Sequence, residues 1–290
     1  MAIALITGTS TGIGLATAIA LGRAGHDVYA TMRHPTRAPE LQRIAMQEAL
    51  PITIFPLDVD DDSSVRGAVD HLLAERGRID VLVNNAGGGL LGPIEEIPLA
   101  EFRSIMETNF FGALRCIQAV LPSMRVQRSG CIINVTSVAG RIAVAPQGAY
   151  TASKFALEAV SEILAQEVKA FNIRVAIVEP GVIKTPVFDK MRRVPADTHY
   201  PQERRILALF AASLQQPVAP AVVGEQIRQI IESESWQLRY PVGPDAVPFL
   251  RWRAGMSDEE WVDFGAMQDD EAWCARIAQD FGLDVRPYLG

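Results

Sequence analysis

Short apolar runs alternate with longer amphipathic stretches from the first residues onward. Ala2–Ile6 is a compact apolar run ending at Thr7-Gly8, and Gly12–Ala24 then carries helical periodicity closed by Gly25. The same alternation predicts strands at Val28–Met32, Ile52–Leu57, Ile79–Asn84, Gly130–Thr136 and Arg174–Val178. Helices are predicted between them at Leu41–Ala49, Ser63–Arg76, Ala100–Gln127 and Gly148–Phe171. Apolar strands separated by helices read as βαβ units. The expected fold class is therefore α/β, a doubly wound parallel sheet of Rossmann type with helices on both faces.

After Pro180 the rhythm breaks. Val182–Pro201 carries prolines at 186, 195 and 201 and reads as a loop or lid with short helices. Glu203–Gln215 and Ala221–Glu232 look helical, and Trp236–Tyr240 reads as a last strand. Beyond Val242, Pro244, Pro248 and Gly255 interrupt the pattern ahead of a short acidic helix, which opens on the capping box Ser257-Asp-Glu-Glu260. A single domain is expected, with residues 1–241 as its Rossmann-type body and a substrate lid over about 186–217. Residues 242–290 form a C-terminal extension packed on the same domain.

Composition narrows the class. Of 290 residues, 49% are hydrophobic, enough to oppose disorder. No run of about 18 apolar residues occurs, so no transmembrane segment is expected. The opening Met-Ala-Ile-Ala-Leu-Ile-Thr-Gly lacks the basic region of a signal peptide. Cys116, Cys131 and Cys274 show neither paired nor metal-type spacing, which fits a reduced, cytoplasmic protein. The four histidines, at 26, 34, 71 and 199, are scattered, and no metal is expected. Net charge is −7, and seven acids with no base fall within Ser257–Glu271, a run that reads as a solvated helix face. Without that run the acids and bases balance, so no basic footprint for nucleic acid is present.

The chemistry starts at the first strand–helix junction. Thr7-Gly8-Thr9-Ser10-Thr11-Gly12-Ile13-Gly14 places glycines where a tight turn would bring backbone N–H groups to a pyrophosphate at a helix N-terminus. The second strand ends Tyr29-Ala30-Thr31-Met32-Arg33-His34. Met32 stands where a carboxylate would hold an NAD ribose, and Arg33 can grip a 2′-phosphate, so NADP(H) is favoured over NAD(H). Ser10 and Thr11 offer hydroxyls to the same phosphate. Tyr150 and Lys154 lie four apart, on one face of a helix. A nearby ammonium and an oxidised nicotinamide would both favour phenolate, bringing Tyr150 toward acid–base work. Ser137, at a strand end, is placed to hydrogen-bond a substrate oxygen.

The spacing Thr7-Gly8-x-x-x-Gly12-x-Gly14 resembles the classical short-chain dehydrogenase/reductase family. So do Leu57-Asp58-Val59, Asn84-Asn85-Ala86-Gly87, Asn109, Ser137, Tyr150-x-x-x-Lys154 and Pro180-Gly181, in the family's order over about residues 2–185. The resemblance implies that Asp58 and Val59 hold the adenine edge and that Asn85, Ala86 and Gly87 lie along the cofactor. It implies that Pro180, Gly181, Val182 and Thr185 hold the nicotinamide carboxamide. It also implies that Ser137 polarises a carbonyl, Tyr150 passes the proton, Lys154 binds ribose and Asn109 positions a water.

The reaction implied is hydride transfer between NADP(H) and a carbonyl or secondary alcohol, as in a ketoreductase. In finer detail the chain is similar to the 17-beta-hydroxysteroid and retinol dehydrogenase branch through Val28–Arg33, Asn85–Pro93 and Ser153–Glu158, and departs from it after about Thr185. Leu90, Leu91, Val138, Ala139, Val144 and Val182 are apolar, as a greasy ketone or alcohol would require. Val247–Arg253 is expected to cover the pocket mouth, ahead of meeting a partner subunit or a membrane surface. The family resemblance implies a homodimer or homotetramer built on the two long helices. The rival functions are a non-catalytic NADP(H)-binding sensor, an isomerase or epimerase, and a related dehalogenase. Both Tyr150 and Lys154 are present, which speaks against the sensor and the dehalogenase.

Overall fold

The computed structural model describes residues 1–193, 198–200 and 202–289. Its body follows the alternation in order: β1 (Ile3–Thr7), α1 (Gly12–Arg23), β2 (Asp27–Met32), α2 (Pro39–Gln47), β3 (Ile52–Pro56), α3 (Asp62–Arg76) and β4 (Val81–Asn84). Next come the short β5 (Leu90–Leu91), α4 (Leu99–Met106), α5 (Gly112–Gln127), β6 (Gly130–Val135), α6 (Gly148–Val168) and β7 (Ile173–Pro180). The remainder is α7 (Val187–Lys190), β8 (Arg192–Arg193), α8 (Gln202–Ser213), α9 (Pro220–Glu232), β9 (Arg239–Val242), α10 (Ala246–Ala254), α11 (Asp258–Ala266) and α12 (Asp270–Phe281).

Seven strands form one sheet in the order β3-β2-β1-β4-β6-β7-β9, and every pair is parallel. Period-2 alternation divides its side chains between two cores. Ala4, Ile6, Val28, Ala30, Val81 and Val83 meet α1 and α9 on one face. Leu5, Tyr29, Leu82, Ile132 and Val175 meet α3, α5 and α6 on the other. The strand order reverses between β1 and β4, and such a switch point opens a crevice at the C-terminal strand ends.

Four expectations need revision. The long helix predicted over Ala100–Gln127 is α4 and α5 joined through a π-turn at Glu107–Phe111, which turns Asn109 into the interior. The last strand is Arg239–Val242; Trp236 lies outside it and stays exposed, its indole N–H donating to the Val175 carbonyl at 2.8 Å. The extension holds three helices where one was expected. Pro248 is tolerated in the first turn of α10, where its missing N–H costs nothing, and Asp269 caps α12 by accepting from Glu271 N at 2.9 Å. Finally, the acidic run is only partly solvated: Asp270 pairs with Arg205 at 2.8 Å and Glu271 with Arg286 at 3.0 Å. The capping box at Ser257 and Glu260 is present as expected.

The extension has a small core of its own, in which Trp273, Cys274 and Ile277 pack against Ala208 and Ala212 of α8. The lid expected over 186–217 includes α7, β8 and α8, and residues 194–197 and 201 within it lie outside the described residues. Among the described residues no helix is long and apolar enough to cross a membrane, and no group of side chains could hold a metal ion. All three cysteines are buried and free.

Helices α1 and α9 touch through Gly224, where a Cβ would lie 2.9 Å from the Ala16 carbonyl. Gly224→Ala is expected to force these helices apart and cost about 1–3 kcal/mol, read as a lower midpoint in urea unfolding with an unchanged slope.

Candidate active site

The site begins where the turns after β1 and β4 are tied together. The Thr7 hydroxyl accepts from Asn85 N and Ala86 N, each at 3.0 Å, and Asn85 Nδ2 donates to the carbonyls of Thr7 (2.9 Å) and Gly8 (3.1 Å). Such close approach leaves no room for side chains. Gly8 has φ +71°, and a Cβ there would fall 2.7 Å from Ala86 Cα; a Cβ on Gly14 would fall 2.4 Å from the Gly8 carbonyl.

Helix α1 then starts without a capping bond from the Thr11 side chain and without an acid in its first turn. The positive end of its dipole therefore faces the crevice uncompensated by an acid of its own, as an anion site requires. A cradle that any Cβ would fill, opening on such a helix end, fits a dinucleotide.

One cavity of about 1040 Å³ runs from this turn across the sheet edge. Gly8, Ser10, Thr11, Gly12, Ile13, Arg33, Asp58 and Val59 line it, as do Asn85, Ala86, Gly87, Ser137, Tyr150, Lys154, Pro180, Gly181, Val182 and Thr185. Of the residues singled out in the sequence, Gly14 and Asn109 do not line it. Gly14 sits behind the turn against Asn85, and Asn109 braces the wall. Its carboxamide accepts from Gly88 N at 2.8 Å and donates to Gly88 O and Ser153 Oγ, each at 3.0 Å. Asn109, which the resemblance gives the task of positioning a water, clamps the Gly87–Gly88 segment with these bonds.

Arg33 is exposed at the end of β2 and makes no hydrogen bond or ion pair among the described residues. Asp60 lies near it, with Oδ1 buried and unpartnered; burial holds its carboxyl above the usual range, opposed by a hydrogen bond from Thr108. Asp58 is not the cap of α3, since Asp61 fills that place by accepting from Ser64 N at 2.7 Å.

At the other end, Ser137 closes β6 and caps a short turn, its Oγ accepting from Ala139 N at 3.1 Å. Tyr150 stands in the first turn of α6 and lines the cavity together with Ser137. Burial raises the phenol above its ordinary pKa, and Ser137 works against that rise. Lys154 is buried, its Nζ donating to the Val135 carbonyl at 2.9 Å and standing 5.8 Å from the Tyr150 ring centre. Burial pushes this amine down to about 8, against the pull of Glu158. Ser137 is thus the group that opposes the effect of burial at Tyr150.

Two supports had little sequence signal. Glu158, one turn beyond Lys154, accepts from Thr136 Oγ1 at 2.7 Å and from Arg239 at 3.0 Å. Asp245 accepts from Val182 N at 2.7 Å, and a Cβ on Gly181 would collide with its carboxylate at 2.2 Å. The six apolar loop residues Leu90, Leu91, Val138, Ala139, Val144 and Val182 all line the cavity, although Leu90 and Leu91 are almost wholly covered. Val247–Arg253 lies in α10, which brings Phe249 and Trp252 to the cavity.

A family model described as short chain dehydrogenase matches residues 2–195. A 3-ketodihydrosphingosine reductase of Bacteroides thetaiotaomicron is 38% identical over 247 residues, 83% of this chain and 88% of that protein. Retinol dehydrogenase 8 of Bos taurus is 42% identical over 202 residues, 68% of this chain and 64% of that protein. The crystal structure of a short-chain dehydrogenase from Streptomyces avermitilis superposes with a TM-score of 0.78 at 35% identity, covering 92% of this chain and 100% of that one.

Because Ser137 opposes the effect of burial, Ser137→Ala is expected to move the Tyr150 titration to still higher pH. Phenolate absorbance followed against a Tyr150→Phe baseline checks this; a titration unmoved or shifted downward contradicts the assignment.

Proposed function

The chain belongs to the short-chain dehydrogenase/reductase family, oxidoreductases that bind nicotinamide cofactors, and on that premise we propose that it moves a hydride between NADP(H) and the carbonyl or secondary-alcohol carbon of an apolar substrate. The observation that carries this reading is the shared cavity. Ser137, Tyr150 and Lys154 stand at one end of it, and the glycine turn and Arg33 at the other. The relatives named a 3-ketodihydrosphingosine reductase and a retinol dehydrogenase support a carbonyl–alcohol interconversion.

When bound, the nicotinamide supplies the hydride to the carbonyl carbon or accepts it from the alcohol carbon. Ser137 orients the substrate oxygen. Tyr150 gives that oxygen its phenolic proton in reduction and takes the proton back in oxidation, so each turnover moves one hydride and one proton. Lys154, its amine pushed down to about 8 by burial, is poised to exchange protons with its surroundings. Gly8, Ser10, Thr11, Gly12 and Ile13 would receive the pyrophosphate, backed by Gly14. Asp58 and Val59 would receive the adenine, Asn85–Gly87 the length of the cofactor, and Pro180–Thr185 the nicotinamide amide. NADP over NAD rests on Arg33, a guanidinium that makes no hydrogen bond or ion pair among the described residues and lines the cavity with the hydroxyl side chains Ser10 and Thr11, at a strand end that carries no acid.

Tyr150→Phe is expected to keep NADPH binding while turnover of a ketone panel falls by about 10²–10⁴-fold. Undiminished turnover in this variant would remove Tyr150 as the proton donor. Arg33→Asp is expected to reverse the ratio of kcat/KM for NADPH over NADH, a shift of tenfold or more, and an unchanged ratio would exclude Arg33 as the phosphate reader.

A further inference from the structure

We propose that the substrate end of this cavity takes a flat, uncharged aryl or fused-ring carbonyl compound, held against an aromatic wall supplied by the C-terminal extension. This deepens the oxidoreductase reading and rests on it for the reacting group. The wall centres on Trp252. Its ring meets Phe281 at 4.8 Å, Phe264 at 5.0 Å and Trp261 at 5.2 Å, with interplanar angles of 76°, 89° and 80°. All four rings line the same cavity as Tyr150 and Ser137. They come from three helices, α10, α11 and α12 or its end, so no single periodic stripe produces them.

Phe264 and Phe281 also pack on the extension's own core, but Trp252 and Trp261 stand outside it. Trp273, the aromatic centre of that packing, is 6% exposed, whereas Trp252, Trp261 and Phe264 stay half-buried with open space before them. Large apolar groups left uncovered around a concave site mark a place where a ligand completes the burial.

The polar handles of the wall are already occupied. Trp252 Nε1 donates to Asp280 at 2.7 Å, and Trp261 Nε1 donates to the Ala143 carbonyl at 2.9 Å. A ligand therefore meets ring faces and edges and need not satisfy an indole N–H. Charge is similarly spent. Arg205, 3% exposed, is held by Asp270 at 2.9 Å and by the carbonyls of Met267 and Gln268, while Arg253 lies over Trp261 and pairs with Asp258 at 2.6 Å. An ionic substrate would find no unpaired counter-charge among these groups and would lose its hydration.

A ring continues the edge-to-face lattice that these side chains already form, and the quadrupole term it gains is one that an alkyl chain of equal size lacks. The Trp261–Ala143 hydrogen bond also fixes the wall in register with the chemistry, since Ala143 lies on the segment between Ser137 and Tyr150.

The test compares two methyl ketones of equal carbon number, 2-acetylnaphthalene and 2-dodecanone, with NADPH. Wild-type kcat/KM is expected to favour the aryl ketone, and Trp261→Ala to cut that preference by about three- to tenfold. Trp261→Phe, which keeps a ring, should retain more of it and guards against a misfolded alanine variant. A wild-type preference for the alkyl ketone, or an aryl preference that both variants leave intact, overturns the proposal. Calorimetric binding of both ketones to the NADP-loaded Tyr150→Phe protein separates the two readings. Tighter aryl binding there, with neither ketone reduced by the wild type, sinks the proposed reaction and upholds the wall; equal or alkyl-favoured binding sinks the wall whatever the turnover.

Discussion

The exchange of hydrogen bonds between Thr7 and Asn85 is the constraint on which the site depends. It joins the ends of two adjacent parallel strands where the sheet changes direction, and the Thr7 hydroxyl at its centre is buried and also donates to the Val83 carbonyl. Because the two turns are pulled together this tightly, glycine is required at positions 8 and 14. Because glycine stands there, the backbone at the start of α1 lies open to a ligand. The crevice, the bare helix terminus and the approach of Gly87 to Lys154 all follow from that single junction.

Behind the site lies a second constraint, a set of charges with little water. Lys154, Glu158, Glu179, Arg239 and Arg141 form a chain from the cavity wall toward the surface, with Glu158–Arg239 at 3.0 Å and Arg141–Glu179 at 3.2 Å. Glu179 is fully covered, and burial together with the neighbouring Glu158 holds its carboxyl above the usual range. Buried charge is tolerated when paired, and removing one member exposes the others to the full cost of desolvation. The amine of Lys154 is set by burial on one side and by Glu158, the nearest member of this chain, on the other.

Much of the body was readable from pattern because its strands are buried on both faces and its helices are long and periodic. The cofactor turn and the Tyr150–Lys154 pair were readable because their spacing is local: one turn of chain or one turn of helix carries the geometry. What escaped was set by distance in sequence. The π-turn at Asn109 leaves no mark on hydrophobic periodicity. Trp236 looked like a strand residue until a carbonyl on β7 claimed its indole. The run Ser257–Glu271 looked like surface, yet its Asp270 is drawn to Arg205, 65 residues earlier. The Asp245–Val182 contact and the meeting of Trp252 with Phe281 join segments too far apart for local periodicity to show.

Asp245 has a consequence of its own. One oxygen of its carboxylate receives the N–H of Val182, and its backbone carbonyl opens α10 by accepting from Phe249 N at 2.9 Å. A single residue thus stands at the root of the extension and beneath the Gly181–Val182 strand end. The strand end that lines the cavity and the helix that carries Trp252 therefore hang on one and the same side chain and its own backbone.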